Sequence, residues 1–231
     1  MRSAKAIFIR QARDVLKNRI VLIQFIIIPI MAFIMTELIA KQDDAMPNNI
    51  FVTMFAAMFS GMTPLMITNT AISEDREQKS LRFLVMAGVK PYEYLLGIGG
   101  FVLTLCSLVS AVFALIGGFK GMEFFLFTVV LIFGCAASAL LGATIGILSK
   151  NQQAASAVGT PVFMVLALSP MLSVFNETIR KAAYFLYTYQ VNMLVSDFSA
   201  GIVKPLLIIL ANIVVLIVLF VIAYKRKGLR G

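Results

Sequence analysis

A chain of 231 residues that is 60% hydrophobic and 13% charged cannot close into one soluble globule without large exposed apolar patches, so lipid is its solvent. The formal charge of +9 is divided among segments that apolar runs separate, which argues against a nucleic-acid-binding stripe and fits topological bias plus attraction to anionic headgroups. Two Cys and no His argue against a metal site built from soft ligands.

The apolar residues form six unbroken runs, roughly 20–40, 50–72, 94–119, 124–148, 154–175 and 205–224. Each is near the length that crosses a bilayer as a helix, about twice a barrel strand, and none alternates with a period of two. The expected fold is an all-α membrane protein with six transmembrane helices in a single domain, 1–231.

Before the first run, Ala4, Ile7, Phe8, Ala12, Val15 and Leu16 recur at helical spacing among Lys5, Gln11, Arg13, Asp14 and Lys17. This predicts an amphipathic helix over 4–17 lying in the headgroup plane, apolar face toward lipid. The first run exceeds the apolar stretch of a signal peptide and lacks a small-residue cleavage motif, so it reads as a true span. Within it, Gln24 is either an interhelical hydrogen-bonding group or part of a translocation path. Glu37, one turn from the outer end, either snorkels to the interface or stands at a substrate exit.

After the second run, Ser73 to Gly88 reads either as a helix of its own or as a simple intracellular hairpin loop, and it carries the pattern of a helix. Ser73 is the expected N-cap, Glu74, Asp75 and Glu77 the acidic first turn, Leu81, Leu84 and Val85 an apolar stripe, and Gly88 a left-handed stop. Pro91 suits the first turn of the next helix. Cys106 and Cys135 sit mid-run, where thiols act as small hydrophobes. The fourth run places Gly134, Ser138, Gly142 and Gly146 four apart, a stripe that lets another helix approach closely, within one subunit or across a seam.

A polar turn, Lys150 to Ala155, leads to a fifth run containing Pro161. The stretch 176–204 is too polar to span, yet Ala182, Ala183, Phe185, Leu186, Tyr189, Met193 and Leu194 suggest turns apolar on one side. Asn212, in the last run, again offers either an interhelical hydrogen bond or a path lining. With the N-terminus inside, 15 of the 20 Lys and Arg residues fall on the cytoplasmic side and both termini are cytoplasmic.

Together these features resemble the ABC-2 type permeases, the membrane subunits of type V ABC exporters. The resemblance rests on the basic amphipathic helix before the first span, and on the acidic Glu74 to Glu77 leading into Leu81 to Leu84. It rests also on Ala87, Gly88 and Val89 before an aromatic start to the third span at Tyr92 and Tyr94, and on the Asn/Gln/Ala turn before Pro161. The small residues common after the acidic stretch are replaced here by Gln78, Lys79 and Ser80, and the Lys often seen after the third-span glycine by Ile98.

The resemblance implies that 73–93 holds a cytoplasmic coupling helix, with Glu74, Glu77, Leu81, Leu84 and Val85 docking an ATPase. It implies that 176–204 forms a re-entrant outer helical segment before the sixth span. The working unit it implies is two permease copies, identical or related, with two copies of an ABC ATPase in the cell (inner) membrane. No Gly-rich phosphate loop is present, so this chain is expected to be non-catalytic and to bind no cofactor, with ATP and Mg on the partner. Gln24, Glu37 and Asn212 are the substrate-path candidates. The expected cargo is an amphipathic or hydrophobic molecule, an antimicrobial or toxin-like peptide or a drug, moved outward. A lipid-linked glycan is the alternative, as is a carrier or channel working without ATP. Against the latter stand the lack of an inverted repeat and of intramembrane charge pairs.

Overall fold

The computed structural model describes residues 2–17, 19–42, 47–198 and 201–227. Among these there are ten α-helices and no strand: α1 Arg2–Lys17, α2 Arg19–Met35, α3 Ile50–Glu77, α4 Ser80–Met86 and α5 Pro91–Ile116 in the first half. The second half holds α6 Met122–Leu148, α7 Gln152–Phe175, α8 Glu177–Ala183, α9 Tyr187–Ser196 and α10 Val203–Lys227. A π-helical turn, Thr36–Ala40, extends α2. Among the described residues, six helices are long and apolar enough to cross a membrane: α2 with its π-helical turn, α3, α5, α6, α7 and α10.

Local chemistry sets several of the helix starts. Asn151 accepts the Ala154 N–H at 2.8 Å to begin α7, and Asn176 accepts the Thr178 and Ile179 N–H groups at 2.8 and 3.2 Å to begin α8. Extended backbone at Lys90 followed by Pro91 starts α5. Pro29, Pro64, Pro161 and Pro170 lie inside α2, α3 and α7 without ending them, as neighbouring helices and hydroxyls permit in a membrane bundle.

The bundle is built around α3, whose most apolar stretch is 61% buried, against 22% for α10. The small-residue stripe of α6 explains the contact with α3. A Cβ on Gly142 would lie 2.2 Å from the Leu65 carbonyl oxygen, and one on Gly146 would lie 2.9 Å from that of Asn69. The stripe is therefore an internal seam of this chain. Ser138 donates to the Ser60 carbonyl and pairs with the Tyr187 hydroxyl at 2.6 Å, while Asn69 donates to Ala155 O at 2.9 Å to bind α7.

Two sequence expectations change. The amphipathic α1 turns Ile7, Phe8, Ala12 and Val15 onto the protein, not onto lipid. Gly97 of α5 admits the Ile7 side chain, and Phe8 meets Phe101 edge-on at 5.5 Å. Leu16 alone of the expected face is fully outward. Ser73, expected to cap a new helix, is buried inside α3 and donates to Thr70 O at 3.0 Å. The second span continues to Glu77, so the acidic cluster stands in a last turn, where the helix dipole disfavours it. The break comes at Lys79, which takes a left-handed φ of 60°, and α4 begins at Ser80. Gly88 does take the left-handed conformation expected of it, φ 80°.

Candidate functional site

At the basic end of the bundle, α1, the α3–α4–α5 connection, the α6–α7 turn and the end of α10 converge on the last turn of α3. The Asp75 carboxylate, 5% exposed, accepts hydrogen bonds from Arg10 of α1 at 2.5 Å and from the Tyr94 hydroxyl of α5 at 2.9 Å. Arg10 also approaches Asp14 at 3.6 Å. Burial by itself would lower the Arg10 pKa, but the neighbouring Asp75 carboxylate outweighs it and holds the guanidinium above its ordinary value. Tyr94 packs on Tyr224 of α10, centroids 6.2 Å apart, and the Tyr224 hydroxyl donates to Val89 O at 3.3 Å.

The next two residues extend this joint. Arg76 donates to the carbonyls of Ile147 and Ser149, satisfying the orphaned C-terminal end of α6. Glu77 accepts the Gln152 N–H at 3.0 Å and so places a carboxylate at the N-terminus of α7. Asp75, Arg76 and Glu77 thus tie the end of α3 to α1, α5, α6 and α7.

Of the residues predicted to dock a partner, Glu74 and Glu77 are exposed, Glu74 accepting from Gln78 at 3.0 Å. Leu81 is not available. It is 2% exposed, buried among Ile7, Ile72, Tyr94, Ile98 and Phe220, and Leu84 packs half-buried on the same cluster. The Val85 side chain lies outside the described residues. The expected docking stripe is therefore corrected: residues three apart share a helix face, and the Leu81 and Leu84 face of α4 closes the core. The outward face carries Phe83, 66% exposed, and Met86, 61% exposed.

The three substrate-path candidates fall in separate environments. Gln24 is half-buried and lines an open cleft of about 570 Å³ between α1, α2, α3 and the start of α7. Glu37 sits in the π-helical turn and accepts from Lys41 Nζ at 2.5 Å. Asn212 donates to Phe185 O at 3.1 Å and to Ile208 O at 2.8 Å, fastening α10 to the α8–α9 turn. A second, apolar cleft of about 130 Å³ is lined by Met35, Met54, Met58 and Met171.

Phe83 and Met86 are visible in the sequence as apolar neighbours of the stripe, yet periodicity cannot say which face of so short a helix is outward. The Arg10–Asp75 pair is separated by 65 residues and has no local signal.

No curated protein matches this sequence. The family model for the ABC-2 family transporter protein matches residues 8–225. That match runs from α1 to the end of α10 and takes in all six apolar helices, so the chain belongs to the ABC-2 transporter family and is a multi-pass membrane permease.

Proposed function

We propose that the chain is the membrane subunit of an ATP-driven exporter, with the ATP and Mg of the cycle held by a separate ABC ATPase that docks on the outward face of α4. The carrying observation is the pair Phe83 and Met86, exposed on a helix whose other face is locked into the joint around Asp75. Two large apolar side chains on a polar end of a bundle are an unsatisfied surface, and they sit where a push on α4 reaches α3 directly. Exposed Glu74 and Glu77 add charge beside them. Gathering of basic residues at this end supports a cytoplasmic location for it and for both termini. The family pattern supports two permease copies, identical or related, and two ATPase copies.

Insertion of α9 among the spans supports a re-entrant outer segment. Thr188 touches Gly61, and from Ile50 to Gly61, at about 1.5 Å per residue, is about 16 Å, near the middle of a bilayer core. The methionine-lined cleft supports an amphipathic or hydrophobic cargo, such as a peptide or drug, because thioether side chains adapt to varied apolar shapes.

The test is to reconstitute the permease with its ATPase and measure hydrolysis against panels of amphipathic peptides, lipophilic drugs and glycolipids. Peptides or drugs should stimulate, and Phe83→Asp should abolish the stimulation and copurification while leaving membrane insertion intact. Stimulation by glycolipids alone would contradict the cargo assignment; full coupling in Phe83→Asp would move the docking surface elsewhere.

A further inference from the structure

Two of the prolines inside the spans break their helices at one shared seam. A proline has no N–H, so the carbonyl four residues earlier loses its helical partner and the helix loses a rung. Pro64 of α3 frees the carbonyl of Ser60, and Pro170 of α7 frees that of Leu166. Serine hydroxyls claim both: Ser138 of α6 donates to Ser60 O, and Ser169 donates to Leu166 O at 3.2 Å. Each serine has a single proton and has thereby spent it. The Tyr187 hydroxyl, 2.6 Å from Ser138 Oγ, and the Thr188 hydroxyl, 3.3 Å from Ser169 Oγ, are therefore the donors in their pairs. Tyr187 and Thr188 are consecutive, they open α9, and both are buried.

The two breaks also touch. A Cβ on Gly61 would lie 2.9 Å from Thr188 Cγ2 and 3.2 Å from the Leu166 carbonyl carbon, so the α3 break, the α7 break and the start of α9 meet in one place. From Pro64 to Glu77 along α3, at about 1.5 Å per residue, is about 20 Å. At the far end of that length Glu77 holds the Gln152 N–H that starts α7. The helices α3 and α7 are thus bonded to each other at the basic end and, through α9, beside their prolines. We propose that Tyr187 and Thr188 form a latch that makes the two proline breaks one hinge, so that α3 and α7 bend together and only as α9 shifts. A tilt delivered at α4 then reaches α9 through a chain of hydroxyls. Transport gives the reason for such bending, and there the inference rests on the export reading; the latch itself does not.

Hydrogen exchange read by mass spectrometry tests this on the full chain in phosphatidylcholine nanodiscs, with no ATPase or cargo present. Tyr187→Phe removes the donor that serves α3, and Thr188→Val the donor that serves α7. Each variant should exchange about fivefold faster in both hinge segments, residues 60–68 and 166–173, as the loss of one buried hydrogen bond shared by the two implies. Residues 99–113 of α5 should keep the parent rate. Thr188→Ser keeps the donor and should match the parent at both hinges. Loosening confined to each variant's own helix would overturn the latch, as would unchanged exchange, an equal rise in α5, or a Thr188→Ser variant as loose as Thr188→Val. Because no ATPase is present, failure here leaves docking through Phe83 untouched, and failure of docking leaves this result untouched.

Discussion

At the residue scale the decisive group is Asp75. A carboxylate is costly to bury unless its oxygens are satisfied by charge and hydrogen bonds, and here Arg10 and Tyr94 take one oxygen each. The two partners are unequal. Losing the Tyr94 hydroxyl removes one bond to the carboxylate, about 1.5–3 kcal/mol, but leaves the Arg10–Asp75 ion pair in place, whereas Asp75→Asn strips the charge that both donors meet and weakens both bonds. Thermal denaturation of the purified permease should thus rank Asp75→Asn below Tyr94→Phe, with both below the parent. A Tyr94→Phe loss as large as that of Asp75→Asn would place the weight of the joint on packing rather than charge.

Elements show what could be read ahead and what could not. The six spans were legible because each is a continuous apolar run near bilayer length, a signal that tertiary contacts do not alter. The internal fit of Gly142 against Leu65 was legible as a stripe, though not which helix it would receive. The junction at Ser73 was misread because its local pattern, a hydroxyl followed by acids, also suits a helix end whose carboxylates are neutralised by distant donors. Likewise α4 carries apolar residues on both faces, so only packing on Ile72, Tyr94 and Phe220 decides that Leu81 turns inward. Close approach of α6 and α3 makes a sharp test. Gly142→Ala puts a methyl within 2.2 Å of backbone oxygen and should lower folded yield by gel filtration, while Gly99→Ala, with nothing within 4 Å, should not. Equal behaviour of the two variants would deny the tight α3–α6 seam.

For the whole molecule, the asymmetry between its ends carries the orientation. The basic end holds the joint, α4 and the polar cleft; the other holds α8, the π-helical turn and the methionine cleft. With both termini in the cytosol, a cysteine at Thr178 in a background lacking Cys106 and Cys135 should react with an impermeant thiol reagent in intact cells. One at Lys79 should react only after permeabilisation. Labelling of Lys79→Cys from outside would invert the topology and with it the assignment of α4.

Contact between α4 and an ATPase is the centre of the proposed coupling, and photo-crosslinking reads it directly. A benzoylphenylalanine placed at Phe83 should, on irradiation of membranes containing the ABC ATPase, form a covalent adduct with that subunit, while the same probe at Phe175, exposed at the opposite end of the bundle, should form none. An adduct from Phe175 with none from Phe83 would contradict the account.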